Sequence, residues 1–238
     1  MLDQRDQIQS SCPQGRLNQK HFNPFGNDSE EKLERVTVIQ ADLHIHTMYS
    51  SDSAIAPKAL VEQLVTHDLV KVAAVTDHDT VKGCNVTRQL ASAYPDILII
   101  PGVEISTQEG DIVILGTEEM PPQPWTAQSV VDFARTNGAV SVVAHPYREY
   151  GMGDKAQNYK VDAIEVLNGA SPRVANEAAH NLANLMHLPG VAGSDAHQIS
   201  ELCTVHTQVQ ASLDIDEILK AIRRGLVSVP PLGGSIRF

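Results

Sequence analysis

From residue 36 onward, short apolar runs alternate with amphipathic segments, and this alternation limits the possible folds more than any other feature. Runs such as VTVIQADLHI, KVAAVTD and AVSVVAHP have the length and aliphatic content of buried strands. The segments between them, such as PKALVEQLVTHD, carry apolar residues at helical spacing. Strands and helices in this order predict βαβ units and a mainly parallel sheet.

About seven such units within roughly two hundred residues favour a closed, slightly irregular α/β barrel. An open, doubly wound sheet is the alternative, but that fold usually carries a GxGxxG loop, which this sequence lacks. Pro57 suits the first turn of a helix, and Asp214 precedes Glu217 at capping-box spacing. Asp79 and Thr80 are predicted to cap the helix that follows them.

Residues 1–35 differ in composition from the rest of the chain. They are rich in Gln, Asn, Ser and charged residues and contain few large aliphatic side chains. Such a segment buries too little apolar surface to offset the conformational entropy that it would lose on folding. We therefore expect a flexible or peripheral N-terminal extension before a folded domain over residues 36–238, with an expression remnant or a strandless cap as alternatives.

The formal net charge of −11 argues against a protein that tracks along nucleic acid or binds an anionic membrane. It is compatible with an anionic substrate, because bound cations reverse the charge of one pocket. Cys12, Cys84 and Cys203 show no metal-binding spacing and are interpreted as reduced thiols. Because the sequence shows neither a membrane-spanning run nor the apolar core of a signal peptide, we expect a cytoplasmic location.

Side chains able to bind metal ions follow nearly every predicted strand. The strand ends read DLHIHT, VTDHDT, PGVEIST, VVAHPYR, EVLNG and VAGSDAH, whereas the fourth strand begins with Asp111. In a parallel barrel these ends meet at one face, so the side chains would lie together there. A lone buried histidine is more often a core residue than a ligand, but five beside carboxylates would leave costly unpaired polar groups. The five are His44, His46, His78, His145 and His197.

The stretch DLHIHT shows how a strand would present such ligands. Side chains alternate across a strand, so we expect Asp42, His44 and His46 on the inward face and Leu43 and Ile45 on the helix-facing side. Two imidazoles at the barrel mouth suit a divalent cation. Asp42, one step deeper, would then accept a hydrogen bond from a ring N–H.

These segments resemble the PHP (polymerase and histidinol phosphatase) family through five motifs in the family's order. They are DLHIHT at 42–47, TDHD at 76–79, GVEIS at 102–106, AHP at 144–146 and GSDAH at 193–197. The resemblance covers residues 38–225 and is greatest to small stand-alone metal-dependent phosphoesterases of the family. It implies a distorted (β/α)7 TIM-like barrel whose metal site lies at the C-terminal ends of the strands.

By position, the resemblance also implies two or three divalent ions. The two histidines of DLHIHT would bind the first ion with Glu104 and Asp195, and Glu104 would bridge to a second ion held by His145. The third ion would be held by Asp52, His78 and His197. The implied metal ligands are His44, His46, Asp52, His78, Glu104, Asp111, His145, Asp195 and His197, and the implied catalytic residues are His44, His46, Glu104, Asp195 and His197.

Asp111 departs from the family pattern, because many relatives have a histidine on that strand. Either Asp111 is an oxygen ligand or the second site is weaker or empty, so two and three ions both stay open. Imidazole and carboxylate ligands together suit Mn, Fe or Zn better than Mg. Three ions would make the pocket net positive, and two would leave its charge near balance. The remaining motif aspartate, Asp77, would orient His78 or a neighbouring ligand.

The segment YREYGMGDKAQNYK after AHP has the composition of a substrate-binding loop. Arg148 would hold a phosphate bidentately, or it is a solvated loop arginine. Tyr147 or Tyr150 would stack on a base or sugar ring. Asn168, at the end of EVLNG, either contacts substrate or caps its loop.

The resemblance implies an enzyme that hydrolyses phosphoesters, since a divalent ion lowers the pKa of bound water enough to supply hydroxide near neutral pH. The expected substrate is a small nucleotide phosphomonoester, such as a nucleoside monophosphate or 3′,5′-bisphosphate. The alternatives are a 5′–3′ exonuclease on short oligonucleotides and a histidinol-phosphate-type phosphatase. A metal-stabilised binding module without turnover is the non-enzymatic alternative. Neither long nucleic acids nor membranes are expected partners.

Overall fold

The computed structural model describes residues 37–231, which form a sheet flanked by helices. The strands are β1 (Val38–Ile45), β2 (Val70–Val75), β3 (Leu98–Ser106), β4 (Asp111–Leu115), β5 (Val140–Val143), β6 (Ala163–Asn168), β7 (Gly190–Gly193), β8 (Thr207–Gln210) and β9 (Val227–Ser228). The α-helices are α1 (Pro57–Thr66), α2 (Lys82–Ala91), α3 (Ala127–Thr136), α4 (Arg173–Met186) and α5 (Ile215–Arg223). The predicted extension over residues 1–35 lies outside the described residues, so it stays a prediction. Among the helices in the described part of the chain, none is both long and apolar enough to cross a membrane.

The strands form one sheet in the order β7-β6-β5-β4-β3-β2-β1-β8-β9. β1, β2 and β3 are parallel to one another, and so are β5, β6 and β7. β4 is antiparallel to both neighbours, because a short hairpin rather than a helix joins it to β3. The start of β4 therefore lies at the same rim as the ends of the parallel strands, and this reversal brings Asp111 to that rim.

The barrel is nearly closed where the loop after β7 contacts β1. The Asp195 N–H donates to the His44 carbonyl at 2.7 Å, and the His46 N–H donates to the Ala196 carbonyl at 3.1 Å. Gly193 permits this approach, because a Cβ atom there would lie 2.3 Å from the Cβ of His44. The predicted α/β barrel is confirmed, and β8 and β9 extend the sheet beyond the seven expected strands.

The core is aliphatic, as the 4% aromatic content requires. The barrel interior holds side chains from β1 through β8 and the apolar face of α5, including Val72, Ile100, Leu115 and Ile222. On the outside, α1 and α2 pack on β1, β2 and the first half of β3, and α3 and α4 pack on the rest of β3 and on β4 through β6. Because α5 packs at the ends of the strands away from the motifs, the opposite rim is left for polar residues.

The prediction for β1 was partly wrong. Leu43 and Ile45 were expected on one face, but Leu43 packs in the barrel interior and only Ile45 packs with α1 and α2. The pairing of β1 with β2 shifts register between Asp42 and Ile45, as in a β-bulge. Two consecutive side chains, Leu43 and His44, therefore line the same interior space.

Helix starts follow two of the three predicted signals. Pro57 occupies the first turn of α1, and Asp214 caps α5 by accepting an N–H from its first turn at 3.1 Å. The prediction for Asp79 was wrong, because its carboxylate accepts the Ser106 N–H at 3.0 Å and so links the β2 loop to β3. The N-cap residue of α2, Val81, offers no side-chain cap, and the Thr80 hydroxyl accepts the Lys82 N–H at 3.4 Å.

The substitution Gly193→Ala tests the barrel closure. We expect the free energy of unfolding to fall by about 1–3 kcal/mol, because the new methyl group would overlap the main chain of His44. Urea denaturation measures this loss. In the control Gly138→Ala, the added Cβ meets no atom within 4 Å, so only the cost of its left-handed backbone remains. Wild-type stability in Gly193→Ala would contradict the described contact.

Candidate metal centre

The rim encloses an open cavity of about 600 Å³. Its wall is formed by the loops after β1, β2, β5 and β7 and by the β3–β4 hairpin. Several residues singled out from the sequence line it, namely Asp52, His78, Asp111, His145, Arg148, Tyr150 and His197. The strand ends thus bring distant motifs to one place.

The first group of donors combines an imidazole from the end of β1 and one from the residue just after it with a carboxylate from the loop after β7. His44 Nε2 and His46 Nε2 are 3.1 Å apart, and Asp195 Oδ1 lies 3.1 Å from His46 Nε2 and 3.6 Å from His44 Nε2. All three side chains are buried. Two ring nitrogens this close share at most one proton between them, so their lone pairs converge where a cation would fit.

Glu104 on β3 lies at the centre of the cluster. Its Oε2 is 3.2 Å from His44 Nε2 and 3.3 Å from His46 Nε2. The same oxygen is 3.1 Å from His78 Nδ1, and Oε1 is 3.0 Å from His145 Nε2. One fully buried carboxylate therefore contacts four imidazoles, a position suited to a bridging ligand.

His78 and His197 form the outer side of the cluster. Asp52 Oδ2 lies 3.4 Å from His78 Nε2 and 3.4 Å from His197 Nε2. The His46 ring stacks on both, with centroid distances of 4.3 Å to His78 and 4.4 Å to His197. These histidines are only partly buried, so this side of the centre faces the cavity.

The donors fit divalent ions. In each of three groups, one ligand atom per residue lies within 4.8 Å of the others. Asp195 Oδ1 and His145 Nδ1 are buried without a hydrogen bond, which is costly unless a ligand satisfies them. Imidazole and carboxylate donors together suit Mn, Fe or Zn. The groups are His44–His46–Asp195, His44–Glu104–His145 and His46–His78–His197.

The cluster stabilises positive charge at its centre. The hydrogen bond to Glu104 raises the pKa of His78 to about 9 against the effect of burial. Burial favours a raised pKa for Glu104, but the surrounding imidazoles, His44 foremost, hold it well below its usual value. Burial also opposes ionisation of Asp195, yet His44 and His46 keep its pKa low. Either protons on the imidazoles or bound divalent ions would neutralise the negative charge of Glu104 and Asp195.

Asp111 lies beside these groups on the cavity wall. It belongs to none of the three donor groups found within residues 37–231. Burial, followed by repulsion from Glu104, raises the pKa of the Asp111 carboxyl to about 6. Its role as a metal ligand stays a prediction.

A buried carboxylate that the sequence reasoning missed, Glu165 on β6, holds two of the ligands. Its Oε1 accepts a hydrogen bond from His44 Nδ1 at 3.0 Å, with the ring proton assigned to that nitrogen. Its Oε2 accepts the main-chain N–H of His145 at 2.8 Å and Asn168 Nδ2 at 3.0 Å. Anchoring Nδ1 directs Nε2 of His44 toward the centre. The available signal was a glutamate inside the apolar strand DAIEVLNG.

Asp77 supports the opposite side of the cluster through Ser50. Asp77 accepts the Thr47 N–H at 2.6 Å and the Ser50 hydroxyl at 2.9 Å. Ser50 Oγ lies 3.2 Å from His46 Nδ1 and accepts the main-chain N–H of His78 at 3.0 Å. The orienting role predicted for Asp77 therefore reaches the ligands through one intervening hydroxyl.

Asp42 is not the expected partner of a ring nitrogen. It accepts the main-chain N–H groups of Ser194 at 2.8 Å and Cys203 at 3.0 Å, and so ties the region after β7 to β1. Burial raises the pKa of Asp42 to about 6. The bulge in β1 explains the difference, because it turns His44 inward without Asp42, and Glu165 takes the expected role instead.

Arg148 and Asn168 meet at the cluster. Arg148 Nη1 lies 2.6 Å from Asp195 Oδ2 and donates to Asn168 Oδ1 at 3.3 Å. Asn168 Nδ2 donates to Asp195 Oδ2 at 3.1 Å, while its Oδ1 accepts the Ala170 N–H at 3.0 Å. Asn168 thus caps its loop and contacts a candidate ligand, and Arg148 is an anchored side chain rather than a solvated one.

The two tyrosines of the predicted substrate loop differ in position. The Tyr147 hydroxyl donates to Asp154 Oδ1 at 2.5 Å, and Tyr147 is not among the residues that line the cavity. Tyr150 lines the cavity and is 75% exposed. Of the two, Tyr150 therefore has the position from which a ring would contact a molecule in the cavity.

Comparison with known proteins agrees with this fold. A family model described as PHP-associated (PHP_C) matches residues 173–227, from α4 to β9. The chain is similar to the uncharacterized protein MJ1587 of Methanocaldococcus jannaschii, with 29% identity over 142 residues, which cover 55% of this chain and 82% of that protein.

Two solved structures share the architecture. One is a two-domain protein from Bacteroides vulgatus containing a predicted PHP-like metal-dependent phosphoesterase, with TM-score 0.69, 19% identity, and coverage of 82% of this chain and 65% of that chain. This chain thus spans less than two thirds of that protein. The other is endonuclease Q in complex with a 27-mer duplex substrate that carries an abasic lesion. Its TM-score is 0.54 with 15% identity, and the match covers 80% of this chain and 56% of that chain. The PHP-associated match over residues 173–227 and the shared barrel architecture agree with the resemblance to the PHP family that the five rim motifs indicate.

Proposed function

We propose that the chain hydrolyses a small phosphomonoester, that of a nucleotide such as a nucleoside monophosphate or 3′,5′-bisphosphate, with two or three bound divalent ions. The observation that supports this most is the convergence of four imidazoles on the buried carboxylate of Glu104, beside an open cavity of about 600 Å³. Mn, Fe or Zn suits this donor set better than Mg.

The ions would be held by the three donor groups around Glu104. Divalent ions bound there supply hydroxide near neutral pH and neutralise the charge of a phosphate. The chain contributes orientation, since Glu165 and Ser50 fix imidazole rings from outside the ligand set. Asp52, at the cavity edge, would join the ligands of the outer side.

Arg148 would bind the substrate phosphate. Its Nη1 is held by Asp195 and Asn168, and within residues 37–231 the guanidinium makes no other hydrogen bond or ion pair. Arg148 lines the cavity, and a guanidinium is suited to paired hydrogen bonds with phosphate oxygens. Asn168 would keep the guanidinium in place rather than contact the substrate itself.

A small substrate is favoured over a polymer. The net charge of −11 opposes close approach of a long polyanion, while the candidate centre offers a local site for one phosphate. The exposed ring of Tyr150 at the cavity supplies an aromatic face on which a base would stack. These features together support a mononucleotide.

Cleavage of short oligonucleotides from the 5′ end is the second candidate. The similarity in fold to endonuclease Q, which was solved with a duplex substrate, favours it. The same ligands would serve a diester, because both reactions displace an oxygen from phosphorus. A histidinol-phosphate-type phosphatase and a binding module without turnover are the further alternatives.

Metal content tests the ligand assignment. His44 belongs to two donor groups and His145 to one, so His44→Ala should lower the manganese bound per chain more than His145→Ala. The exposed His180 on α4, replaced by alanine, is the matched control and should leave metal content unchanged. Elemental analysis after dialysis against Mn²⁺ measures this, with circular dichroism to verify folding. Wild-type metal content in His44→Ala would contradict the proposed centre.

Phosphate release tests the reaction. With Mn²⁺, the wild type should release inorganic phosphate from nucleoside monophosphates or bisphosphates. His46→Ala should reduce the rate by more than about 100-fold. Replacing even a residue that only hydrogen-bonds a metal ligand lowers metal affinity or activity about 10–100-fold, and His46 is itself a proposed ligand. Faster cleavage of short 5′-phosphorylated oligonucleotides would favour the exonuclease instead. Metal binding without hydrolysis of either substrate would favour the binding module.

Arg148→Met tests the phosphate contact. We expect KM for the nucleotide to rise about tenfold or more, because a charge-assisted hydrogen bond contributes about 1.5–3 kcal/mol. Manganese content should stay near that of the wild type, since Asn168 still holds Asp195. The control Arg173→Met removes an exposed arginine of α4, whose partner is Glu177, and should leave KM unchanged. An unaltered KM in Arg148→Met would contradict the assignment.

A further inference from the structure

We infer that two buried residues outside the ligand set, Glu165 and Ser50, separately control metal loading at opposite sides of the centre. Both side chains are buried; Glu165 contacts His44 and His145, whereas Ser50 contacts His46 and His78. The inference rests on the metal centre of the proposed function but not on its substrate. It concerns which ions bind tightly, and it is testable without any turnover.

Glu165 supports the inner side. One of its oxygens accepts from the His44 ring at 3.0 Å, and the other accepts from the main chain of His145 at 2.8 Å. These two ligands form, with Glu104, one donor group, here called the inner group; His46, His78 and His197 form the outer group. Among the described hydrogen bonds of Glu165, none reaches His78 or His197. Its influence on the outer group is therefore indirect.

Ser50 supports the outer side. Its hydroxyl oxygen lies 3.2 Å from His46 Nδ1 and 3.0 Å from the main-chain nitrogen of His78, which share a donor group with His197. Asp77 holds the hydroxyl at 2.9 Å. The position of Asp77 is itself constrained by α2, because a Cβ on Gly83 would lie 1.9 Å from Asp77 Oδ2. The serine thus has a rigid support.

Because Glu165 and Ser50 hold different ligands, each should affect the metal affinity of different donor groups. A hydrogen bond to the outer nitrogen of an imidazole fixes the ring and raises its basicity, and losing it lowers metal affinity about 10–100-fold. Loss of the Glu165 contacts should therefore weaken ions bound through His44 and His145. Loss of the Ser50 contacts should weaken ions bound through His46 and His78. The middle group, His44–His46–Asp195, takes one ring from each side and should respond to both changes.

The test compares Glu165→Gln and Ser50→Ala with a matched control pair. Glutamine keeps the size of Glu165 but replaces one acceptor oxygen by a donor group. Asp162 and Ser141 are hydrogen-bonded to each other at 2.9 Å near the start of β5. Asp162→Asn and Ser141→Ala therefore match the chemistry of the two changes without touching a candidate ligand.

Calorimetric titration with Mn²⁺ and Zn²⁺ gives the affinity of each binding step, and circular dichroism verifies folding. We expect Glu165→Gln and Ser50→Ala each to weaken some steps about 10–100-fold and to leave at least one near the wild-type value. Both control variants should bind the ions with wild-type affinity in every step. Equal weakening of every step, or the same weakening in the controls, would overturn the inference in favour of a purely structural role.

Double variants identify the side that is affected. In a His145→Ala background, where the His44–Glu104–His145 group is already broken, Glu165→Gln should weaken only the middle group, whereas in a His197→Ala background it should weaken both groups that contain His44. Ser50→Ala should show the reverse pattern. The same pattern for both variants would overturn the inference.

Failure of the proposed function looks different in this experiment. A wild-type chain that binds no divalent ion would overturn the proposed metal centre and this inference with it. A chain that shows the expected pattern of affinities but hydrolyses no phosphoester would support the inference and overturn only the proposed reaction.

Discussion

A carboxylate with no exposure to solvent, Glu104, lies within 3.3 Å of nitrogen atoms from four imidazoles, and the rest of the structure depends on this contact. A buried charge without partners costs several kcal/mol. Glu104 is therefore tolerable only because imidazoles at the end of β1 and in the segments just after β1, β2 and β5 contact it. The same convergence leaves lone pairs and orphaned atoms that protons satisfy incompletely. Divalent ions would complete the arrangement, which is why the geometry indicates metal chemistry more strongly than any single histidine does.

Three local departures from a regular parallel barrel make the convergence possible. The hairpin between β3 and β4 reverses one strand, so that its first residue, Asp111, comes to the rim. The bulge in β1 turns both Leu43 and His44 inward, and the ring of His44 then reaches Glu104 and Glu165. The missing side chain of Gly193 lets the region after β7 approach β1 closely enough for main-chain hydrogen bonds. Each departure changes which side chains or main-chain groups meet at the rim.

These departures also mark the limit of what the sequence predicts. Periodicity and strand-end motifs predicted the barrel, the helices and the meeting of the rim histidines, because these follow from alternation and from parallel topology. A strict two-residue period could not reveal the bulge, so it misplaced Leu43 and assigned the role of Glu165 to Asp42. Glu165 escaped notice because its strand is otherwise apolar and its partner His44 is 121 positions away. Which tyrosine lines the cavity depends on loop conformation, for which Tyr147 and Tyr150 carry no distinguishing pattern.

Two of the candidate ligands are held in uncommon backbone conformations, with φ of +25° at His145 and +54° at Asp195. Such conformations cost about 1–3 kcal/mol in non-glycine residues and persist only where the surroundings enforce them. Here the enforcing contacts are specific: Glu165 accepts the His145 N–H, and the His44 carbonyl accepts the Asp195 N–H. The first contact involves Glu165, whose other oxygen holds the His44 ring, and the second involves His44 itself. The same two residues therefore take part in the strained backbone and in the placement of the inner donors, so strain and ligand placement are linked at this rim.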